Sequence, residues 1–142
     1  MQVWNATDGS NAYIYKGHSA DFGGDSISSV AWSPDGKRIA SSAYYGSTMR
    51  IWDASDHYTY LRLQHLGIVG EPILSEAWSS DSKRIASGSV DNTVQVWNAV
   101  DGSNVYIYKG LSDAVQSVAW SPDGKSVASG STDKTVQIWV AS

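Results

Sequence analysis

The sequence predicts an all-β protein built from repeated four-stranded antiparallel sheets. Two interleaved series of tryptophans support this prediction, one at positions 32, 78 and 120 and the other at 4, 52, 97 and 139. Their spacings are 46 and 42 residues in the first series and 48, 45 and 42 in the second. All seven Trp therefore lie at repeat positions. A period of about 42 residues that contains four short strands is typical of a β-propeller blade.

The turn residues within one period indicate where its strands begin and end. The segment SVAWSPDGKSVASG (117–130) recurs as SVAWSPDGKRIASS (29–42) and SEAWSSDSKRIASG (75–88), with small and apolar residues alternating around a central turn. Pro122 presets the φ of a type I turn, and Gly124 can take the left-handed conformation that closes the hairpin. Turns at Asp133 and at Asp101-Gly102 lead into TVQIW and NVYIY, so each period predicts four antiparallel strands.

Several short signatures accompany the repeat. They are the Gly17-His18 pair, three AWS(P/S)D segments, the IAS(G/S) strands, Trp52-Asp53, and Asp91 and Asp133, each six residues before a Trp. Together they resemble the WD-repeat β-propeller family along the whole chain. The resemblance implies that the strands run from the central channel outward as a (SVAW), b (KSVAS), c (TVQIW) and d (NVYIY).

With this strand order the chain is a single propeller segment, residues 1–142, with incomplete ends. We expect strands c and d at 1–17, a first repeat at 18–64, a second at 65–110, and a third at 111–142 that lacks its own outer strand.

The N-terminal pair can complete the third repeat. Residues 2–17 match residues 95–110 at 14 of 16 positions, so they have the sequence of a strand pair that already belongs to a blade. Three blades cannot form a ring alone, because propellers usually have four to eight. We therefore expect the chain to bind itself by strand exchange, as a homodimer with six blades. A trimer with nine blades and a fragment of a longer propeller are the alternatives.

His65, Ser87 and Asp91 have the residue types of a hydrolytic triad. The family resemblance instead implies a structural tetrad with Trp97, in which Asp91 bonds His65, His65 bonds Ser87, and Ser87 bonds the indole. Such a chain satisfies buried polar groups that would otherwise cost about 1–3 kcal/mol each. We therefore expect no catalytic residues and no enzyme activity, with a propeller hydrolase as the less favoured alternative.

The other two repeats carry partial tetrads. Their members are His18, Ser41 and Trp52 in the first repeat, and Ser129, Asp133 and Trp139 in the third. Gly46 stands where the first repeat needs Asp, and Leu111 stands where the third needs His. In the second repeat, Ser80 and Ser82 replace the turn Pro and Gly, and a non-Gly residue at positive φ can cost on the order of 1 kcal/mol.

The loops that join strand d to strand a are longer in the first two repeats. His18 to Trp32 spans 14 residues and His65 to Trp78 spans 13, against 9 from Leu111 to Trp120. In the family these loops share a face of the ring with the b–c turns, and exposed aromatic and apolar groups dominate interface energetics. The candidate partner-binding residues are Phe22, Tyr44, Tyr45, Ile68, Val69, Glu71 and Pro72. Their alternative role is to cover gaps left by the loops.

Composition excludes several function classes. The net charge is −4 and the ten Lys and Arg are scattered, which argues against nucleic-acid binding. There is no Cys, and His18 and His65 belong to two different repeats while His57 lies at an unrelated position, so we expect neither a metal nor a cofactor. No apolar stretch approaches a membrane span, and a cytoplasmic location is expected. The sequence thus predicts a non-catalytic scaffold for protein interaction and self-assembly, with a carbohydrate-binding propeller as the alternative.

Overall fold

The computed structural model describes residues 1–20, 26–55, 59–65 and 70–141. These residues form thirteen strands and one short 3-10 turn, Gly17–Ala20. The strands are β1 (Gln2–Trp4), β2 (Asn11–Ile14), β3 (Ile27–Trp32), β4 (Arg38–Ala43), β5 (Thr48–Asp53), β6 (Thr59–Gln64), β7 (Ile73–Trp78), β8 (Arg84–Ser89), β9 (Val94–Asn98), β10 (Asn104–Tyr108), β11 (Val115–Trp120), β12 (Ser126–Ser131) and β13 (Val136–Val140). Among the residues described, no helix is long and apolar enough to cross a membrane.

The strands pair into four antiparallel sheets. Blade 1 is β3-β4-β5-β6, blade 2 is β7-β8-β9-β10, and blade 3 is β11-β12-β13. Strands β1 and β2 form a separate two-stranded sheet, which we call the N-terminal hairpin. Neighbours in sequence are neighbours in each sheet, as short turns require. The predicted all-β architecture of four-stranded antiparallel blades is confirmed.

The turn between the first two strands of each blade has the same conformation in all three. Gly36 and Gly124 adopt φ values of +70° and +69°, and Ser82 adopts +60° at the same place in blade 2. The left-handed region disfavours side chains with a Cβ, so Ser82 carries the backbone strain expected from the sequence. Its hydroxyl accepts a hydrogen bond from the backbone N–H of Asp35, 3.1 Å away in blade 1, which compensates part of that strain.

The core lies between consecutive blades. Met49, Ile51 and Leu63 of blade 1 pack against the inner strands of blade 2, including Ile73 and Ile85. The same positions repeat one blade further on, where the outer half of blade 2 packs against blade 3. The members of this second cluster are Ala86, Val94, Val96, Leu111, Val115, Val118, Val127, Trp139 and Ala141.

The N-terminal hairpin packs on blade 1 in the same way. Val3 and Tyr15 contact Ile39 and Trp52 of blade 1. Between blades 2 and 3, the equivalent residues Val96 and Tyr108 belong to the cluster with Val127 and Trp139. The hairpin therefore occupies the place that strands c and d of a preceding blade would take.

The two ends of the blade stack are exposed. Val136 and Ile138 of blade 3 are each 73% exposed, whereas Val94 and Val96, at the same positions of blade 2, are 0% and 1% exposed. We call the surface formed by Gly130, Val136 and Ile138 the forward face. At the other end, Val30 and Trp32 of blade 1 are more than half exposed, and we call their surface the rear face.

Candidate functional site

The tetrad of blade 2 joins β8, β9 and the turn between them to the residue that follows β6 of blade 1. His65 follows β6, Ser87 lies on β8, Asp91 in the β8–β9 turn, and Trp97 on β9. The Nδ1 atom of His65 lies 3.2 Å from Asp91 Oδ2. The Trp97 indole donates to Ser87 Oγ at 3.0 Å. The structure therefore brings the four residues together as two hydrogen-bonded pairs.

The expected hydrogen bond between His65 and Ser87 is absent. His65 Nε2 is buried without a hydrogen-bond partner among the described residues. Its Nδ1 atom lies 2.9 Å from the Gln95 amide as well as near Asp91. A ring nitrogen of neutral histidine either donates or accepts. His65 Nδ1 therefore donates to Asp91 or accepts from Gln95, but does not do both at once. The Gln95 contact lies beside the Asp91 contact, at the end of the ring away from Nε2. The sequence motif did not indicate this competitor.

Hydrogen bonds hold the Asp91 carboxylate in its charged form. Burial opposes its ionisation, but hydrogen bonds from His65 and Thr93 outweigh this effect and lower the pKa of Asp91. Thr93 donates to Asp91 Oδ1 through both its backbone N–H, at 2.9 Å, and its hydroxyl, at 2.7 Å. The carboxylate thus closes the β8–β9 turn and also supports His65.

The partial tetrad of blade 1 keeps the His–Ser and Ser–Trp hydrogen bonds. His18 Nε2 lies 2.8 Å from Ser41 Oγ, and the Trp52 indole donates to the same oxygen at 2.7 Å. At the position of the missing Asp, the Gly46 carbonyl accepts a hydrogen bond from Gln64 Nε2 at 2.9 Å. A side-chain amide on β6 therefore binds the turn that lacks a carboxylate.

In blade 3 the three tetrad residues do not bond one another. The Trp139 indole nitrogen is buried without a hydrogen-bond partner among the described residues, and Ser129 Oγ donates to the Gln137 carbonyl at 3.5 Å. Asp133 instead accepts hydrogen bonds from the backbone N–H and hydroxyl of Ser112, at 3.1 and 3.2 Å. Because the Leu111 side chain has no hydrogen-bond donor, the carboxylate binds the next residue along the chain.

Burial favours the structural interpretation of these triad residue types. His65 and Ser87 are buried, and the Ser87 hydroxyl already accepts from Trp97 and donates to the Gln95 carbonyl at 3.5 Å. A nucleophile would need access to substrate and a free hydroxyl. No group of three or more His, Asp or Glu side chains in the described part of the chain is arranged to hold a metal ion.

The candidate partner-binding residues fall into two sets. Tyr44 and Tyr45 are exposed, and their rings meet edge to face at 4.9 Å in the β4–β5 turn. Glu71 and Pro72 are half-buried in the loop before β7, where the Glu71 carbonyl accepts from Ser47 Oγ at 2.8 Å. The structure thus brings the blade 1 turn and the blade 2 loop together. Phe22, Ile68 and Val69, and also His57, lie outside the described residues.

Sequence reasoning missed a buried carboxyl group between blades 1 and 2. Glu76 lies on β7 and its Oε2 accepts from Ser42 Oγ at 2.7 Å. Burial raises the pKa of Glu76 to about 7, although hydrogen bonds from Ser42 and Ser29 counteract part of the rise. The signal was present in the sequence, since SEAW replaces the SVAW of the other two repeats.

Sequence reasoning also missed two arginines that join consecutive blades. Arg38 of blade 1 donates to backbone carbonyls of blade 2, and Arg84 of blade 2 donates to those of blade 3. The recurring KRIAS segment indicated them, and blade 3 has Ser126 in the same place. These side chains bind adjacent blades to each other through charge-assisted hydrogen bonds.

The repeated sheets, their shared turns and their tetrad positions define a segment of a β-propeller. The sequence matches the family model for the WD domain, G-beta repeat, over residues 9–53, 64–98 and 102–140. The chain belongs to the WD40 repeat family. No curated relative matches the sequence. Family membership indicates a protein-interaction scaffold.

Proposed function

We propose that two copies of this chain pack end to end into a closed six-bladed ring, which then serves as an interaction scaffold. The observation that carries the proposal is the match between the two exposed ends. The forward face presents Gly130, Val136 and Ile138, and the rear face presents Val30 and Trp32. Residues at these same positions already contact each other at the two interfaces within the chain.

Small residues on one blade face large ones on the next. A Cβ atom added to Gly88 of blade 2 would lie only 2.6 Å from the Val115 side chain and 3.1 Å from that of Val118. Gly130, the equivalent residue of blade 3, has nothing within 4 Å of such a Cβ. Val30 occupies the position of Val118 on blade 1. The forward face therefore has space for the valine that the rear face offers.

A repeated hydrogen bond sets the register of each interface. The Trp78 indole donates to the Ala31 carbonyl of the preceding blade at 3.2 Å, and the Trp120 indole donates to the Ala77 carbonyl at 2.9 Å. In the proposed ring, Trp32 would donate to Ala119 of the second copy. Ring closure would bury both apolar end faces, and this burial would favour association.

Strands β1 and β13 would compete for the same place in this ring. Both carry the Gln-x-Trp pattern of strand c, and only one can lie between β2 and β12. Strand β13 pairs with β12 at five positions, and its Trp139 stacks on Tyr106 and Tyr108 at 5.2 and 5.0 Å. Strand β1 has three residues, and its Trp4 is 55% exposed. We therefore propose that β13 of the second copy displaces β1 and pairs with β2.

The mass in solution tests the assembly. We expect sedimentation equilibrium to give twice the mass of one chain, with dissociation and unfolding coupled and dependent on concentration. Ile138→Lys should abolish association, because a charge on the forward face would be buried without a partner. Val100→Lys is the matched control, since Val100 is also exposed but lies in the β9–β10 turn. A folded protein that stays at the mass of one chain on concentration would contradict the proposal, and a trimer would correct only the number of copies.

Two deletions test the strand exchange. Removal of residues 1–6 should preserve the assembly, because β2 remains available to β13. Removal of residues 1–17 should abolish it, because the third blade then has no strand d from any copy. If both deletions left the mass unchanged, the N-terminal hairpin would have no part in closing the ring.

The loop face is the proposed site for other partners. Tyr44 and Tyr45 form an exposed aromatic surface on the β4–β5 turn, and Ser47 of the same turn binds the backbone of Glu71. A carbohydrate-binding function is the second candidate, because exposed tyrosines can also stack on sugars. A glycan screen and a peptide screen, each repeated with Tyr45→Ala, would distinguish the two. Retained binding in Tyr45→Ala would exclude this surface.

A further inference from the structure

We infer that the rear face of blade 1 carries an unfilled binding site for a guanidinium group, equivalent to the sites that hold an arginine at the two interfaces within the chain. The site is a cleft of about 410 Å³ beside the β3–β4 turn. Its lining residues are Gly36, Lys37, Asp53, Ala54 and Ser55. The assignment stands on two equivalent sites within the chain, each of which holds an arginine.

The first equivalent site joins blades 1 and 2. Arg38 donates through Nη1 to the Ala99 carbonyl at 2.6 Å and through Nη2 to the Ser82 carbonyl at 2.8 Å. Its guanidinium carbon lies 5.2 Å from the ring centre of Trp78. One planar cation thus binds two carbonyls with its edge and an indole with its face.

The second equivalent site joins blades 2 and 3. Arg84 donates through Nη2 to the Gly124 carbonyl at 2.7 Å and through Nη1 to the Ala141 carbonyl. Its guanidinium carbon lies 4.7 Å from the ring centre of Trp120. The arrangement is the same as that around Arg38, so it is a property of the repeat.

Blade 1 presents the same three groups. Gly36 corresponds to Ser82 and Gly124, Ala54 to Ala99 and Ala141, and Trp32 to Trp78 and Trp120. Gly36 and Ala54 line the cleft. Trp32 is half exposed and lines a second cleft, which it shares with residues of β1.

The backbone of the cleft already has the conformation that binds arginine. The φ of Gly36, +70°, is close to the values of Ser82 and Gly124, +60° and +69°. A hydrogen bond from the Ala54 N–H to the Lys37 carbonyl, 2.9 Å, fixes the second side of the cleft. The equivalent bonds of the other two sites are 2.8 and 2.9 Å long. Both carbonyls are therefore positioned before any ligand arrives.

The second copy in the proposed ring does not supply the arginine. Its blade 3 has Ser126 at the position of Arg38 and Arg84, so that junction lacks the interblade contact that the other two have. Ser126 is half-buried, and its backbone has the strand conformation that Arg38 and Arg84 share. An arginine at this position would reach the cleft from the same direction as its two equivalents.

The assembly test compares Ser126→Arg with Ser126→Lys. Both add one positive charge, but only arginine offers two parallel donors to two carbonyls and a flat face to Trp32. If the ring forms as proposed above, on which this arm depends, Ser126→Arg should lower the dissociation constant by about tenfold or more and Ser126→Lys by much less. Equal tightening by both variants, or none by Ser126→Arg, would overturn the guanidinium site and leave the ring itself intact.

A second arm is independent of assembly. Acetyl-arginine amide is titrated into the Ile138→Lys chain, whose rear face is not covered by a second copy, and the indole N–H resonance of Trp32 is followed. We expect a saturable shift with the arginine compound and a smaller one with acetyl-lysine amide. In Trp32→Ala, where the backbone N–H of Ala54 is followed instead, the saturable shift should be lost. Identical responses to the two compounds, or no shift at all, would contradict the site even if the ring never forms.

Discussion

Glu76 should make the stability of this protein fall as the pH rises. Its carboxyl group is buried between blades 1 and 2, where the other repeats place a valine. Burial raises its pKa from 4.5 to about 7. Between these two values the folded state binds more protons than the unfolded state, so the free energy of unfolding decreases with increasing pH. The loss begins near the unfolded pKa and levels off above the folded one.

The magnitude follows from the size of the shift. One pKa unit corresponds to about 1.4 kcal/mol, so the free energy of unfolding should fall by about 2 to 3 kcal/mol between about pH 5 and pH 8. Glu76→Gln removes the titration and keeps a polar group that can bond Ser42. The difference between wild type and Glu76→Gln therefore isolates this carboxyl group from every other titrating residue. Urea unfolding at fixed protein concentration, followed by Trp fluorescence, measures it at each pH.

A control variant must separate the effect of removing one charge from the effect of removing a buried carboxyl group. Glu71→Gln removes the same charge from the half-buried Glu71, on the loop before β7, and should keep the pH-dependent fall of wild type. If wild type and Glu76→Gln kept a constant difference across this pH range, Glu76 would not be protonated in the folded state, and the reasoning from burial would be refuted.

Three further predictions concern the tetrad and the blade interfaces. Asp91→Ala should lower the free energy of unfolding by about 1–3 kcal/mol because His65 loses an acceptor, and an unchanged melting temperature would reject the tetrad assignment. Gly88→Ala should also cost about 1–3 kcal/mol, since its new Cβ would lie 2.6 Å from a valine of blade 3, whereas Gly130→Ala should leave the stability of a single chain unchanged. Finally, we expect no ester, phosphate or glycoside hydrolysis that depends on Ser87, and turnover lost specifically in a folded Ser87→Ala variant would show a catalytic role.

The strand pattern was predictable because it depends on local chemistry. Alternation of small and apolar residues, β-branched runs and the Ser-Pro-Asp-Gly turns each act over a few residues, and their repetition fixes the blade architecture. The positive φ of Ser82 was predictable for the same reason, since two glycines mark that position in the other repeats. The missing bond between His65 Nε2 and Ser87 was not predictable, because it depends on how the residue after β6 is seated against β8.

The sequence by itself determined that this chain forms WD40 blades with unequal ends, because the period and the turn residues are written along the chain. Only the tertiary structure decided which side chains meet between blades. Glu76 reaches Ser42 across 34 residues of sequence, and Arg38 reaches the Ala99 carbonyl across 61. No local pattern fixes such contacts, because they depend on how one twisted sheet is seated on the next. The buried carboxyl group, the arginine sites and the exposed end faces all arise from that seating.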